Sequence, residues 1–194
     1  LSDDVFLMQS VPKRLVVVGA GYIALEFACI FRAFGAEVDV VYRADLPLRG
    51  FDQDIREALK EALEAQGIRL HSGHNPARLD RQGSHLRLGL LGGEGVEGDA
   101  VLFALGREPN THGLGLERAG VECTAAGAIE VDEDHRTTAP HIFAIGDVTD
   151  RLNLTPMATA VGHALADTLF GNNPRRASYL NVPTAVFTSP PIGT

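Results

Sequence analysis

Arg14 to Ala28 reads RLVVVGAGYIALEFA, and no other stretch limits the fold of this 194-residue chain so tightly. Arg14 to Val18 is a short, continuously apolar, β-branched run, which suits a strand covered on both faces. Gly19-Ala20-Gly21-Tyr22-Ile23-Ala24 then matches G-x-G-x-x-A between a predicted strand and a predicted helix. In that position the first glycine permits a tight turn. The second lets a pyrophosphate approach the backbone at a helix N-terminus, and the small third residue lets helix and strand pack closely. The helix is apolar nearly all round and stops at Gly35, and a second strand, Glu37 to Tyr42, follows at once. Strand, helix and strand with such short joints form the unit from which parallel sheets are built.

Further along, Asp52 is placed to cap an amphipathic helix with Ile55, Leu59 and Leu63 inside and Asp54, Arg56, Lys60, Glu61 and Glu64 outside. From Ile68 to Phe103 short runs broken by glycine predict a small antiparallel meander, closing at Gly106-Arg107-Glu108-Pro109-Asn110. After Asn110 come a Gly/Ala-rich stretch, a short strand at Ala128 to Val131 and a buried strand, IFAIG, at Ile142 to Gly146. Thr155 as N-cap with Pro156 at the first helical position predicts a helix to Phe170 with a face of small residues. The expected fold is α/β: a Rossmann-like NAD(P)-binding domain over 1–109, with a parallel sheet, helices and the meander, and a second region after it.

At the end of the second strand the chain reads VVYRADLPLRGFD, Val40 to Asp52. An NAD site places a carboxylate there for the ribose 2′-hydroxyl, whereas an NADP site places arginine for a 2′-phosphate. Arg43 and Arg49 supply guanidiniums, so the spacing points to NADPH. Glu26 is a lone acid in an otherwise apolar helix and must face a partner or water.

A formal net charge of −8 argues against nucleic acid as the main partner. No apolar run reaches membrane-spanning length and the first residues lack a signal-peptide layout, so no membrane association and a cytoplasmic setting are expected. The two cysteines, Cys29 and Cys123, lie in no metal or C-x-x-C spacing and read as reduced thiols. His71 and His74 read as a solvated turn, and no metal site is expected.

GAGYIALEFA, VYRADLPLRGFD, ALGREPNT, HIFAIGDVTDRLNLTPMA and YLNVPTAVFTSPPIGT occur in that order over the whole chain. Together they resemble the central portion of the pyridine nucleotide-disulfide oxidoreductases, its glutathione-reducing members in particular. The resemblance implies an NADPH site made of Gly19, Gly21, Tyr22, Ile23, Glu26, Arg43, Arg49, Gly106 and Arg107, with Tyr22 as an aromatic lid over the nicotinamide pocket. It implies a partial FAD-binding domain over 110–182, with Gly146, Asp147, Leu154 and Thr155 at the flavin, and the start of a dimer-interface domain over 183–194.

For a parent enzyme the resemblance implies NADPH, FAD and glutathione disulfide as cofactors and substrate, and a homodimer. The redox C-x-x-x-x-C and the first flavin motif of that family are absent from these residues. The chain by itself is therefore expected to be inactive, with no catalytic residue of its own, and to self-associate through uncovered apolar surface. The alternatives are a stand-alone NADPH-binding module without turnover and a sister reductase for another low-molecular-weight disulfide.

Overall fold

A computed structural model describes residues 2–194. It divides into two compact units, one running up to Gly106 and including Thr184–Thr194, the other Arg107–Pro183.

In the first unit a short helix α1 (Ser2–Val5) leads to β1 (Arg14–Val18), α2 (Tyr22–Ala33), β2 (Glu37–Val41), α3 (Gln53–Ala65) and β3 (Ile68–His71). Next come β4 (Pro76–Gln82), β5 (His85–Leu90), β6 (Gly95–Gly98) and β7 (Ala100–Phe103). Four strands make one parallel sheet in the order β3-β2-β1-β7, while β4, β5 and β6 form a separate antiparallel sheet. The run LVVV explains why β1 sits at the centre. Leu15 and Val17 enter the core beneath α2 and α3, and Val16 and Val18 enter a second core shared with Leu88 and Leu90 of the antiparallel sheet. Each side chain is almost fully buried, so the strand has no solvent face.

The predicted meander is therefore too long. Its flanks, Ile68–His71 and Ala100–Phe103, belong to the parallel sheet, and only 76–98 turns back on itself. Short apolar runs do not reveal which neighbour they will pair with. The helix after Asp52 forms with Leu59 and Leu63 buried, but the Asp52 side chain makes no cap bond. Arg56, expected outside, folds back to donate to the carbonyls of Pro47 (2.7 Å) and Leu46 (2.9 Å). A terminal hairpin, β8 (Ala185–Val186) with β9 (Ile192–Gly193), completes this unit.

The second unit has a small core of Val121, Ile129, Ala139 and Ala144. Neither strand expected in it forms. Cys123 and Ile129 make one isolated bridge, Arg136 and Phe143 another, and Ile145 stays 36% exposed. IFAIG has the composition of a buried strand, but a strand persists only where neighbours satisfy its backbone along its length. Helix α4 (Thr155–Phe170) begins one residue earlier than expected. Leu154 is the N-cap, its carbonyl accepting from Ala158 at 3.0 Å, and Thr155 is already inside the helix. The small face does allow close approach, since a Cβ on Gly162 would lie 3.3 Å from Ile145.

Candidate nucleotide site

The turn after β1 is built around two glycines with different duties. Gly19 has φ 121°, and a Cβ there would lie 2.3 Å from the Ala104 carbonyl oxygen at the end of β7. Only glycine fits against that neighbouring strand. Gly21 is the N-cap of α2 with an ordinary extended backbone, and a Cβ on it would meet nothing within 4 Å. Glycine at 21 therefore leaves room beside the first turn of a helix, where unpaired N–H groups favour an anion.

Hydrogen bonds fasten the loop after β2 to this turn. Gly19 N–H donates to Val41 at 2.9 Å and Leu48 N–H donates to Ala20 at 2.8 Å. Leu48 is buried with φ 54°, a left-handed backbone that a branched side chain adopts only when its surroundings hold it. Arg56 braces the same loop through Leu46 and Pro47. Arg43 and Arg49 flank the fastened segment, both exposed, and neither has a hydrogen-bond or ion-pair partner among the described residues. A hollow of about 470 Å³ lined by Gly50, Phe51, Asp52, Ile55 and the terminal Thr184, Gly193 and Thr194 opens beyond Arg49. Two uncompensated guanidiniums beside an open glycine turn fit a phosphate-bearing dinucleotide.

Along α2, Tyr22 stands in the first turn, 40% exposed, its hydroxyl without a partner among the described residues. Ile23 follows it, half-buried. Glu26 faces a partner, the backbone N–H of Phe187 in the terminal hairpin at 2.9 Å. Cys29, one turn further, is buried, and burial pushes its thiol above the ordinary range, with Ser189 backbone bonding opposing and Glu26 adding to that effect. The role of Phe187 was not readable from the sequence, because no local pattern links residues so far apart. The same holds for Leu48 and Arg56.

Gly106 ends the first unit with φ 152°. Arg107 lies in the second, where it pairs with Asp147 at 3.5 Å. Gly146 and Asp147 occupy a short 3₁₀ turn, and Asp147 is half-exposed with that arginine as its ion-pair partner. Leu154 and Thr155 open α4, whose first turn has no side-chain cap, so its N–H groups remain available to a ligand. A hollow of about 800 Å³ beside Thr111–Arg118 contains none of these residues. It is an open recess along a loop, with His112, Glu117 and Arg118 on its wall. Among the described residues no three His, Cys, Asp or Glu side chains are grouped to hold a metal ion, and no helix is long and apolar enough to cross a membrane.

His71 is not part of a solvated turn. It ends β3, with Nε2 2.8 Å from the buried carboxylate of Asp39, and its ring meets that of His74 edge-on at 6.5 Å.

A parallel sheet whose first strand runs into an open glycine turn, with unpaired arginines at the end of the second, defines a dinucleotide-binding unit of the Rossmann type. Comparison with known proteins narrows the class. The profile of the pyridine nucleotide-disulphide oxidoreductases matches residues 2–162, and the chain belongs to that family. A glutathione reductase of Burkholderia cepacia is 48% identical over 97% of this chain and 42% of its own length. A trypanothione reductase of Trypanosoma congolense is 42% identical over 100% of this chain and 40% of its own. The HOCl-induced flavoprotein disulfide reductase RclA of Escherichia coli superposes with a TM-score of 0.92 at 32% identity, over 97% of this chain and 43% of that one. The chain thus spans about two fifths of the length of the relatives it matches.

Proposed function

We propose that these residues are the NADPH-binding portion, with part of the flavin-binding portion, of an FAD-dependent reductase acting on glutathione disulfide. One observation carries the reading: the Gly19–Gly21 turn and the Arg43–Arg49 loop are fastened together by the Leu48 to Ala20 bond, leaving both guanidiniums free beside it. An NAD site would be expected to offer a carboxylate there.

The chemistry itself belongs to the bound groups, a hydride from the nicotinamide and an electron-accepting flavin. What the chain contributes is placement. Gly21 admits the pyrophosphate to the backbone, and Arg43 and Arg49 hold the 2′-phosphate. Tyr22, exposed and unpartnered, covers the nicotinamide end. Glu26, anchored by Phe187, presents its second carboxylate oxygen there. In the other unit Asp147, held by Arg107, and the open first turn of α4 suit a hydroxyl-rich, electron-poor ligand such as a flavin. Cys29 and Cys123 do not suit a redox dithiol, since Cys29 is buried in α2 with its thiol held above the ordinary range while Cys123 is exposed. The disulfide-reducing cysteines therefore come from elsewhere, and the chain alone does not turn over.

Titrating the purified chain with NADPH and NADH tests this reading. Each arginine gives charge-assisted bonds worth about 1.5–3 kcal/mol before desolvation. Arg43→Ala with Arg49→Ala then weakens NADPH binding by about 2–4 kcal/mol, roughly 30- to 900-fold, and leaves NADH nearly unchanged. Equal losses for the two coenzymes would reject the phosphate role. An absorbance scan reports whether the second unit retains flavin, and a colourless preparation is expected.

A further inference from the structure

The two free arginines share one loop but are held by different parts of the fold. Arg43 follows β2 directly, and its neighbours are tied to the chain after β3. Tyr42 N–H donates to His71 at 3.0 Å, His74 N–H to Tyr42 at 3.0 Å, and Gly73 N–H to Ala44 at 3.3 Å. Tyr42 and Ala44 also pack into the core beneath the helices. These contacts stop short of Arg49.

Arg49 stands between two residues of positive φ, Leu48 at 54° and Gly50 at 96°. A leucine keeps that backbone only where its surroundings hold it. Two supports do so. Leu48 N–H donates to Ala20 of the glycine turn at 2.8 Å, and the carbonyls of Leu46 and Pro47 just before it accept from Arg56 of α3 at 2.9 and 2.7 Å. Pro47 and Leu48 are both buried, and a buried carbonyl must find a donor.

Arg56 suits this task by shape. Its Nε and Nη2 lie in one rigid plane and reach the carbonyls of successive residues, where an ammonium would offer a single compact centre. Its own place is set by α3, since Arg56 N–H donates to Asp52 at 3.1 Å and Leu59, on the next turn, is buried in the core. Arg56 makes no ion pair among the described residues, so no carboxylate draws the guanidinium off the loop.

We propose that Arg56 is the positioning residue of Arg49: it fixes the main chain of 46–48 from α3 and so aims Arg49, but not Arg43, at the 2′-phosphate of NADPH. This rests on the NADPH reading above and deepens it. The effect of Arg56 on the coenzyme passes through Arg49 rather than through a contact of its own.

The test is a pair of double-mutant cycles. Dissociation constants for NADPH and NADH, with urea midpoints, are measured for the chain, Arg56→Met, Arg56→Lys, Arg43→Ala, Arg49→Ala and the two doubles that join Arg56→Met to each alanine. Arg56→Met keeps an apolar stem and removes the donors. It is expected to weaken NADPH binding roughly three- to tenfold and to leave NADH nearly unchanged, the size of an ordering loss at one long side chain. Arg56→Lys, with one donor group, loses less. In the Arg49→Ala background Arg56→Met weakens NADPH binding no further, whereas in the Arg43→Ala background its full effect persists. Losses that multiply in the Arg49→Ala background overturn the proposal, as does an effect that vanishes with Arg43→Ala instead. An unchanged NADPH constant in Arg56→Met overturns it too, and so does equal weakening of both coenzymes, which marks a residue that only supports the fold. Should Arg56→Met fail to fold, the same cycles are run with Arg56→Lys and judged by the same outcomes. If neither Arg43→Ala nor Arg49→Ala lowers the preference for NADPH, the NADPH reading falls and this proposal with it. If they lower it and the Arg49 cycle is additive, only this proposal falls.

Discussion

Alanine at Gly19 and alanine at Gly21 should fail in opposite ways, although the two positions are one residue apart. At Gly19 the new methyl would lie 2.3 Å from the Ala104 carbonyl oxygen, roughly 1 Å inside ordinary carbon–oxygen contact, and the backbone would have to keep φ at 121°. Ala104 cannot simply retreat, because its N–H is bonded to Val18 at 2.9 Å at the end of the β1–β7 ladder. Overpacking of this kind costs about 1–3 kcal/mol and the forced left-handed backbone about 1–3 kcal/mol more, so Gly19→Ala should destabilise by about 2–6 kcal/mol. At a urea dependence of about 2 kcal/mol per molar, the midpoint falls by about 1–3 M.

At Gly21 the methyl meets no protein atom and φ is −79°, so the loss is confined to a poorer N-cap residue, under about 1 kcal/mol. It stands where the pyrophosphate would approach, however. Gly21→Ala should keep its urea midpoint within about 0.5 M and lose at least tenfold in affinity for NADPH and NADH alike. Full-strength coenzyme binding by Gly21→Ala, or an unshifted midpoint in Gly19→Ala, would refute the division of labour argued here.

Acid should act on Asp39. Burial alone would raise its carboxyl, but the Arg69 and His71 bonds outweigh burial and hold it below the usual carboxylate range. Its stabilisation is then fully present above about pH 4 and lost as pH falls through the lower folded value, and Asp39→Asn should remove that limb from a stability–pH curve measured in urea. His135 is buried with no partner for Nδ1, and burial, helped by Arg151, lowers its pKa. The unfolded chain takes up a proton near pH 6.5 that the folded one resists, so the second unit should lose stability as pH drops below about 6.5, and His135→Asn should flatten that slope. A thiol reagent under native conditions should modify Cys123 quickly and Cys29 only on unfolding, as read by mass spectrometry of the modified peptides.

The β1–α2–β2 unit was legible because its signals are local: a β-branched run, glycines at fixed offsets, a terminating Gly35. Where pairing partners decide the outcome, the sequence pattern ran out. Ile68–His71 and Ala100–Phe103 look like the neighbouring meander strands yet enter the parallel sheet. IFAIG looks buried and strand-like yet keeps a single isolated bridge. Apolar composition reports that a segment is to be covered, and it does not say by what.

The same division runs through the site. Arg43 and Arg49 could be picked out because their charge has the wrong sign for an NAD site, but nothing in the linear pattern shows what aims them. That work falls to an ordinary leucine with a left-handed backbone and an arginine that the helical pattern assigned to solvent. Each acts through a bond to a main-chain atom, and such bonds leave no periodic trace. A coenzyme site that selects by a single phosphate needs those supports as much as its cations, because an unbraced arginine gives up rotamer freedom worth up to about 2 kcal/mol on binding. Leu48, Arg56 and the Gly73–His74 turn hold the backbone under Arg43 and Arg49 through main-chain bonds, so on the proposed NADPH reading more of their attraction would be expressed as selectivity.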